Sequence, residues 1–487
     1  MNLVDWANGW FWATDHEVSR FALQRGVALL YAIAFIAVLR QFTPLLGERG
    51  LLPVPAYLER VGSRAGPTLF RWRYSDRLLT AVAWVGLLVA LALVAGLPQQ
   101  GPPWVPMLAF AVLFGLYLSV VNVGQVFYGF GWESLLLEAG FLAACLGSDA
   151  VAPPTLVLLA FCWLLFRVEF GAGLIKMRGD ACWRDLTCLY YHHETQPMPG
   201  PLSPYFHALP RPLHKVEVAA NHVVQLAVPF LLFAPQPVAT WAATLVILTQ
   251  LWLVVSGNFA WLNWLTLLLA FAAVSDDVLA RLLPVSPAEA PPGPVWFAVV
   301  VLVMAGAVVV LSFWPVRNLL SPRQQMNASF NRWHLVGAYG AFGSITRRRD
   351  EVVVEGSLAA DPEDEREWRE YEFKGKPGPV HRRPRQRAPY HLRLDWGMWF
   401  LALGSPAQHV WFQRFLLRLL EADPTILRLL HHDPFDGERP RWVRARVFRY
   451  RYASRAERRR DRVWWVREDR GLLVDPGALD RLYEASR

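Results

Sequence analysis

The chain contains 487 residues, of which 54% are hydrophobic and only 18% are charged. Soluble globular proteins carry about 25% charged residues, so this composition argues against an ordinary water-soluble globule. Charge is also divided unevenly, because residues 1–316 hold 16 basic and 17 acidic residues whereas residues 317–487 hold 33 and 23.

Long apolar runs fill the first part of the chain. A helix needs about 20 apolar residues to cross the hydrocarbon core of a bilayer. The runs therefore predict a polytopic α-helical membrane protein with about nine transmembrane helices. Eight runs are clear, namely Phe21 to Arg40, Leu78 to Leu97, Pro106 to Val123, Pro153 to Met177, Val218 to Ala234, Val238 to Val255, Phe259 to Val274 and Val295 to Phe313. The ninth, Ser134 to Leu146, is short and contains a glutamate.

These runs divide the chain into three parts. We predict an N-terminal segment at 1–20, a transmembrane helical domain at 21–315 with a large loop at 178–216, and a basic soluble C-terminal domain at 316–487. Lys and Arg concentrate in the loop after the first run and in the 178–216 loop, and cytoplasmic loops are enriched in these residues. With nine crossings both loops share one side with the C-terminal domain, and the charge rule predicts that this side is cytoplasmic.

Five ionisable residues lie in the fourth and fifth predicted crossings, where each is costly unless it is paired or hydrated. They are Glu133, Glu138, Arg167, Glu169 and Lys176. Glu169 and Lys176 are seven residues apart, hence on one helical face, and the glycine between them lets a second helix approach closely. Arg167 points to nearly the opposite face, so we predict that its partner is Glu133 or Glu138.

Two interpretations of this polar cluster remain open. The favoured one is a set of structural ion pairs that ties two helices together. The other is a reactive Lys176, because a desolvated lysine loses its proton near neutral pH and then acts as a base. Lys176 is also close enough to the interface to extend its amine toward water.

The loop at 178–216 is dense in Trp, Tyr, His and Pro, which is typical of loops that carry function. Its candidate site residues are Cys182, Trp183, Arg184, Asp185, Cys188, His192, His193, Glu194, Thr195, Gln196 and Pro197. Cys182 and Cys188 can form a disulfide if the loop faces an oxidising compartment, and cannot if it faces the cytosol.

A metal site is an alternative for this loop. Its candidate ligands are His192, His193, Glu194, His207 and His214. Adjacent histidines cannot easily aim at one ion from a regular element, and the loop has neither CxxC nor HExxH spacing, so we predict no bound metal and no cofactor. The favoured interpretation is an aromatic, proline-stiffened surface loop at the level of the lipid headgroups.

The periodicity changes after Val316 to short alternating runs that are typical of strands. Strands are predicted at Glu351 to Glu355, Trp368 to Phe373, Tyr390 to Trp396, Trp442 to Tyr452 and Val463 to Arg467, and helices at Pro406 to Ala422 and Pro424 to His431. The pattern predicts an α+β or β-sandwich-like domain. Its arginine clusters at 381–387 and 455–462 lack a nucleic-acid recognition motif, so we expect no nucleic acid and favour membrane lipid headgroups or a solvated basic face.

Three stretches resemble one known family. The loop sequence from Cys182 to Pro199 is similar to the signature loop of the lipase maturation factor family, as is the stretch from Gly129 to Gly140. The segment from Ser321 to Arg347 looks like the opening of that family's C-terminal domain. The resemblance implies a multi-pass membrane protein of the endoplasmic reticulum with a chaperone-like role for exported lipases, without a catalytic reaction.

The resemblance also bears on location. It implies that the large loop and the C-terminal domain face the lumen, which is opposite to the side that the loop charges predict, so the orientation stays open. The arginine-rich composition favours a bacterial relative, for which the location is the inner membrane, over a eukaryotic one in the endoplasmic reticulum membrane.

Two other functions are alternatives to a maturation factor. The segment from Ala172 to Met177, followed by Trp183, is similar to the lysine-bearing segment of vitamin K-dependent gamma-glutamyl carboxylase, which implies an enzyme with Lys176 as its base. A small-molecule or lipid transporter would explain the many crossings and the charges within them, but internal repeats are absent from the sequence.

Overall fold

The computed structural model describes residues 9–281, 290–404 and 409–477. Helices account for most of the first of these ranges. Those of the first part are α1 (Glu17–Leu46), α2 (Val54–Val61), α3 (Asp76–Val94), α4 (Trp104–Val123), α5 (Gly131–Ala143), α6 (Thr155–Arg178), α7 (Ala181–Arg184), α8 (Leu189–Thr195), α9 (Ser203–His207), α10 (Arg211–Leu226), α11 (Val228–Leu231), α12 (Val238–Ser256), α13 (Leu262–Ala270), α14 (Asp276–Ala280), α15 (Val295–Leu311) and α16 (Phe313–Leu320).

Six helical stretches in the described part of the chain are long and apolar enough to cross a membrane. They are Glu17–Leu46, Asp76–Val94, Trp104–Val123, Thr155–Arg178, Val238–Ser256 and Val295–Leu320. The protein therefore fits a multi-pass membrane architecture.

The other three predicted crossings are shorter or interrupted, so a count of nine is not confirmed. Helix α5 has 13 residues, which cover about 20 Å of the roughly 30 Å hydrocarbon core. The apolar helix Leu262–Ala273 is also short. The run predicted from Val218 to Ala234 is divided into α10 and α11, because Pro229 follows directly after the break at Ala227.

Helix α1 lies at the centre of the bundle and packs against α3, α5 and α13. Its fully buried Tyr31 and Phe35 contact small residues on the neighbouring helices. A side chain at Gly86 of α3 would lie 2.3 Å from the Phe35 ring, and one at Gly140 of α5 would lie 2.3 Å from the Tyr31 hydroxyl. Glycines at these contacts allow the helix axes to approach closely, as is common in membrane bundles.

The C-terminal part contains one antiparallel sheet in the order β2-β1-β3-β4, formed by β1 (Arg349–Ser357), β2 (Arg369–Glu370), β3 (Trp442–Tyr452) and β4 (Trp465–Gly477). Its helices are α17 (Arg393–Leu403), α18 (Val410–Leu420), α19 (Pro424–Leu427) and α20 (Arg455–Asp461). A single small sheet with helices fits the α+β prediction, and the described residues contain no second sheet of the kind a sandwich requires.

The strand predicted from Tyr390 to Trp396 is wrong, because this segment leads into helix α17. Its alternation of polar and apolar residues resembled a half-exposed strand. The polar members His391, Arg393 and Asp395 are nevertheless buried, so the alternation does not separate a wet face from a dry one. The predicted helix from Pro406 contains α18, although residues 406–408 lie outside the described residues.

Among the described residues, the main hydrophobic core of the C-terminal part is continuous with that of the bundle. One continuous apolar cluster extends from the bundle into the sheet and α18. At the junction, the rings of Phe127 and Trp411 lie 5.6 Å apart in an edge-to-face arrangement. The two parts are thus packed as one body.

Candidate functional site

The first turn of the 178–216 loop is held by a disulfide and by a capping carboxylate. Cys182 is joined to Cys188, with their Cα atoms 4.8 Å apart. The Asp180 carboxylate accepts a hydrogen bond from the Cys182 N–H at 3.0 Å and so caps α7. Arg347 from the C-terminal part binds the same carboxylate at 2.7 Å, so this turn is tied to both halves of the chain.

Trp183 anchors the loop to α6 and α10. Its indole N–H donates to the Phe342 carbonyl at 2.8 Å, and its own carbonyl accepts from the His222 ring at 3.0 Å. The Lys176 amine lies 4.8 Å from the indole ring. The next two residues, Arg184 and Asp185, are exposed. The indole is therefore structural, and Arg184 also binds the end of α6, because its guanidinium donates to the Met177 carbonyl at 2.8 Å.

The two adjacent histidines of α8 face different surroundings. His192 packs against Phe259 and Phe342, and burial lowers its pKa to about 3, so it is neutral at physiological pH. His193 turns to the other side and is 2% exposed. Burial also raises the pKa of the Glu194 carboxyl. This carboxyl accepts the Tyr452 N–H of β3 at 2.8 Å.

The segment from Thr195 to Pro197 is buried between the bundle and the sheet, so it does not fit a freely exposed surface loop. The Gln196 amide donates to the Ser256 carbonyl at 3.1 Å, and the Thr195 carbonyl accepts the Trp399 indole N–H at 3.2 Å. These three residues of the signature loop thus form a wedge that joins the bundle to the sheet.

Arg349 of β1 holds this wedge from the C-terminal side. Its guanidinium donates to the main-chain carbonyls of Glu194 at 2.8 Å and Pro197 at 3.0 Å, and also to that of Gln196. Glu351 lies behind it, 2.6 Å from Arg349 and 2.9 Å from the Lys376 amine. All three charged side chains are at most 3% exposed. Since a buried cation needs a counter-charge and acceptors, this triad fixes the loop against the sheet.

The glutamates of α5 have different partners. Glu138 pairs with Arg167, and it also accepts the Tyr339 hydroxyl at 2.7 Å and the Gly337 N–H at 3.2 Å. Arg167 in turn donates to the Gly337 carbonyl at 2.7 Å. The predicted partnership within the bundle is therefore present, but residues of the C-terminal segment complete it.

Glu133 does not contact Arg167 and instead binds the C-terminal part. Its carboxylate lies 2.8 Å from the Arg393 guanidinium and 3.5 Å from the His391 ring, all three side chains being fully buried. Burial lowers the pKa of His391 to about 4, and the positive charge of Arg393 adds to that shift. Arg393 also stacks on Tyr128 with 3.4 Å between the guanidinium carbon and the ring centroid.

Glu169 and Lys176 are linked through an amide instead of a direct ion pair. Gln225 of α10 donates to the Glu169 carboxylate at 3.1 Å and accepts from the Lys176 amine at 2.9 Å. Asn221 accepts a second hydrogen bond from that amine at 2.9 Å. Gly173 lies between them, where a side chain would come within 2.8 Å of Leu226. The Lys176 amine thus meets one indole face and two amide oxygens, and amide oxygens accept hydrogen bonds from an amine.

Sequence reasoning missed the residues that bind the loop and α5 from the C-terminal side. They are Arg349, Glu351, Lys376, His391 and Arg393. Their pairing depends on burial and on long-range contacts, which the sequence alone does not show.

A partly exposed aromatic and basic surface lies at the seam between loop and sheet. This seam patch consists of Leu202, Tyr205, Arg383, Arg458 and Trp464. Arg383 donates to the Pro201 carbonyl at 3.1 Å, and Arg458 lies over both aromatic rings at 5.3 and 5.5 Å. Tyr205 is 46% exposed and its ring lies 6.3 Å from that of Trp464. A groove of about 510 Å³ lined by residues 381–386 adjoins the patch.

Comparison with known proteins finds matches to both parts of the chain. The profile of the lipase maturation factor transmembrane domain matches residues 18–281, and that of the lipase maturation factor C-terminal domain matches residues 335–474. The chain belongs to the lipase maturation factor family. This family member thus has both domains in the expected order, and the loop and its binding residues in the sheet fall within the two matches.

Individual relatives agree with this membership. The family member is 40% identical to lipase maturation factor 1 of Bos taurus over 96% of its own length and 89% of the relative. It is 39% identical to lipase maturation factor 1 of Homo sapiens over 97% and 89% of the two chains. Lipase maturation factor 2 of Gallus gallus is 29% identical over 94% and 83%. No solved structure matches the chain.

Proposed function

We propose that this protein is a membrane-embedded maturation factor that helps exported client proteins, lipases among them, to reach their active form. The observation that carries the proposal is the match to lipase maturation factor 1 along nearly the whole chain, with both family domains present. The role we infer is chaperone-like, because the buried groups Arg349, Glu133 and Lys176 are engaged in ion pairs and hydrogen bonds that fix the loop and the sheet.

We further propose that the loop and the C-terminal domain face the export side of the membrane, which is the lumen of the endoplasmic reticulum in a eukaryotic cell. The Cys182–Cys188 disulfide supports this side, since such bonds persist in oxidising compartments. The relatives described above are vertebrate proteins and lend no support to a bacterial inner membrane.

We also propose that the three shorter segments cross the bilayer with the six long helices. Helix α5 begins beside Arg393 of the C-terminal domain. The chain just after α5 lies instead near the start of α1, where Gln24 donates to the Gly147 carbonyl at 2.8 Å. Likewise α13 begins just after Trp261, whose indole donates to the Trp132 carbonyl near the start of α5. Asp276, which follows α13, lies at the start of α1 and accepts the Glu17 N–H at 2.6 Å. Nine crossings keep the loop and the C-terminal domain on one side and support a division at about residues 20 and 316.

The seam patch is the surface we propose for the client. Aromatic and arginine side chains dominate the energetic centres of protein interfaces, and the patch offers two aromatic residues with two arginines over them. Its position at the junction suits a maturation factor, because the loop and the sheet both contribute to it. Membrane lipid headgroups remain the expected partners of the remaining basic surface.

Co-expression with a secreted lipase in cells that lack their own maturation factor tests the proposal. The unmodified chain is expected to raise the activity per amount of secreted lipase several-fold. The variant carrying Tyr205→Ala and Trp464→Ala is expected to remove most of this gain while reaching the same level in the membrane.

Trp72→Ala is the matched control, because Trp72 is 85% exposed and lies outside the patch. An equal loss in the control variant would contradict the assignment of the patch. Absence of any gain with the unmodified chain, for every lipase tested, would contradict the proposed function itself.

A further inference from the structure

Three titratable side chains converge behind α8, outside the ion pairs that fix the loop. They are His193 of α8 and His214 and Glu217 of α10. His193 Nε2 lies 3.9 Å from Glu217 Oε2, and His214 Nδ1 lies 4.0 Å from the same oxygen. The three candidate ligand atoms all lie within 4.8 Å of one another.

The atoms that face each other in this cluster lack hydrogen-bond partners. His193 Nε2, His214 Nδ1 and Glu217 Oε2 are buried and receive no hydrogen bond. Both histidines are only 2% exposed. An unsatisfied buried polar atom is costly, and three of them directed at one point are well explained by a shared cation.

We propose that His193, His214 and Glu217 bind a zinc ion. Two imidazole nitrogens and one carboxylate form a common ligand set for Zn²⁺, which leaves the fourth tetrahedral position for water. With bonds of about 2.0 Å, ligand atoms in a tetrahedral site are roughly 3.3 Å apart, so small side-chain rotations close the present distances around the ion.

A supporting outer shell is present. The Trp252 indole N–H donates to Glu217 Oε1 at 2.7 Å, which orients the carboxylate so that its other oxygen faces the histidines. The His193 ring stacks on Phe206 at 5.7 Å, and Tyr190 lies 5.9 Å from His214. Hydrogen bonds to the ligating side chains orient them toward the ion in established metal sites.

The site also explains why the two adjacent histidines differ. Sequence reasoning disfavoured a metal because neighbouring residues on a helix cannot aim at one ion. The structure directs only His193 at the cluster, while His192 packs against phenylalanines. The missing ligand, Glu217, lies three residues after His214 and therefore on the same face of α10.

Metal content of the full-length protein in detergent tests the proposal, using an affinity tag without histidines and removal of metal with a chelator. After addition of Zn²⁺ and dialysis, we expect one zinc per chain by mass spectrometry. Replacing it with Co²⁺ is expected to give the visible absorption bands of a tetrahedral site. Zinc should raise the melting temperature of the protein, because it binds only the folded state, and Mg²⁺ should not.

Variants separate this site from adventitious binding. Glu217→Gln keeps the shape of the side chain and its acceptor for Trp252, and is expected to weaken zinc binding by at least a hundredfold, as is His193→Gln. Trp252→Phe removes only the N–H that donates to Glu217, so zinc binding is expected to weaken ten- to a hundredfold. The exposed His381 supplies the control, and His381→Gln should bind zinc like the unmodified chain.

Two results would overturn the proposal. One is an unmodified protein that shows neither the cobalt bands nor a zinc-dependent rise in melting temperature, which would leave the cluster as a histidine–carboxylate ion pair. The other is full zinc stoichiometry and affinity in folded Glu217→Gln and His193→Gln. The first result does not depend on whether any variant folds.

Discussion

The membrane bundle and the C-terminal domain both bury charge, but they do so with opposite signs at their junction. The Glu133 carboxylate of the bundle meets Arg393 of the domain, and Arg349 of the domain donates to three carbonyls of the loop. The net positive charge of the second part of the chain is therefore not only a solvated surface. Part of it is counter-charge and hydrogen-bond donor for the bundle and its loop, so the two domains of this chain are coupled through buried electrostatics.

The Glu133–Arg393 pair gives the largest expected effect on this coupling. Glu133→Ala leaves a buried guanidinium without its counter-charge, so we expect a loss of about 3–5 kcal/mol in the free energy of unfolding. Thermal unfolding in detergent measures it. The double variant Glu133→Gln with Arg393→Met should recover most of the loss, because it leaves no unpaired charge. A single variant as stable as the unmodified chain would show that apolar packing alone joins the domains.

Arg349 tests the coupling of the sheet to the loop. Arg349→Ala removes hydrogen bonds to three carbonyls and leaves Glu351 with Lys376 alone, and we expect a loss of about 2–3 kcal/mol. Limited proteolysis of the 178–216 loop should become faster, and lipase maturation should fall with it. Unchanged cleavage of the loop would contradict the role of Arg349 as its anchor.

Tyr339 isolates a single hydrogen bond to the Glu138–Arg167 pair. Tyr339→Phe removes the hydroxyl that donates to Glu138 and keeps the ring, so a smaller loss of about 1.5 kcal/mol is expected. Thermal unfolding in detergent measures this loss. A Tyr339→Phe variant as stable as the unmodified chain would show that Glu138 does not need the hydroxyl from the C-terminal segment.

The exposed tether gives the smallest effect. Arg347 also joins the C-terminal part to the loop through Asp180, but it is 41% exposed. Arg347→Gln should change stability by no more than about 0.5 kcal/mol, because water screens the pair. A loss comparable with that of Arg349→Ala would break the distinction between buried and exposed contacts on which the comparison depends.

Local pattern predicted much of the fold. The apolar runs matched the six long helices to within a few residues at most of their ends, since length and hydropathy alone suffice for that decision. The alternation from Trp442 to Tyr452 predicted β3 with its observed bounds. The strand predicted from Tyr390 to Trp396 was wrong. Arg393 in this segment is buried against Glu133, which lies 260 residues away in the sequence and is therefore absent from any local pattern.

The same reasoning identified only some residues of the candidate site. The loop residues and the five ionisable residues of the bundle were identifiable, because charge in an apolar run and dense aromatic residues in a loop are visible locally. The partners of these residues were not identifiable. Glu133 illustrates why, because Arg167 and Arg393 are both cations that could pair with a glutamate, and the sequence does not show which of them is close to it. The zinc ligands depend likewise on Glu217, which the sequence does not distinguish from a surface glutamate of an amphipathic helix.

The sequence by itself determined that the front of this protein is a bundle of apolar helices, that a polar α+β domain follows, and to which family the chain belongs. These properties depend on composition, on local periodicity and on long motifs that neighbouring residues carry. Only the tertiary structure decided that residues 195–197 of the signature loop are buried, and which cation neutralises which carboxylate. A buried charge is satisfied by whichever group the fold brings within about 3 Å, and that distance is set by the packing of the whole molecule.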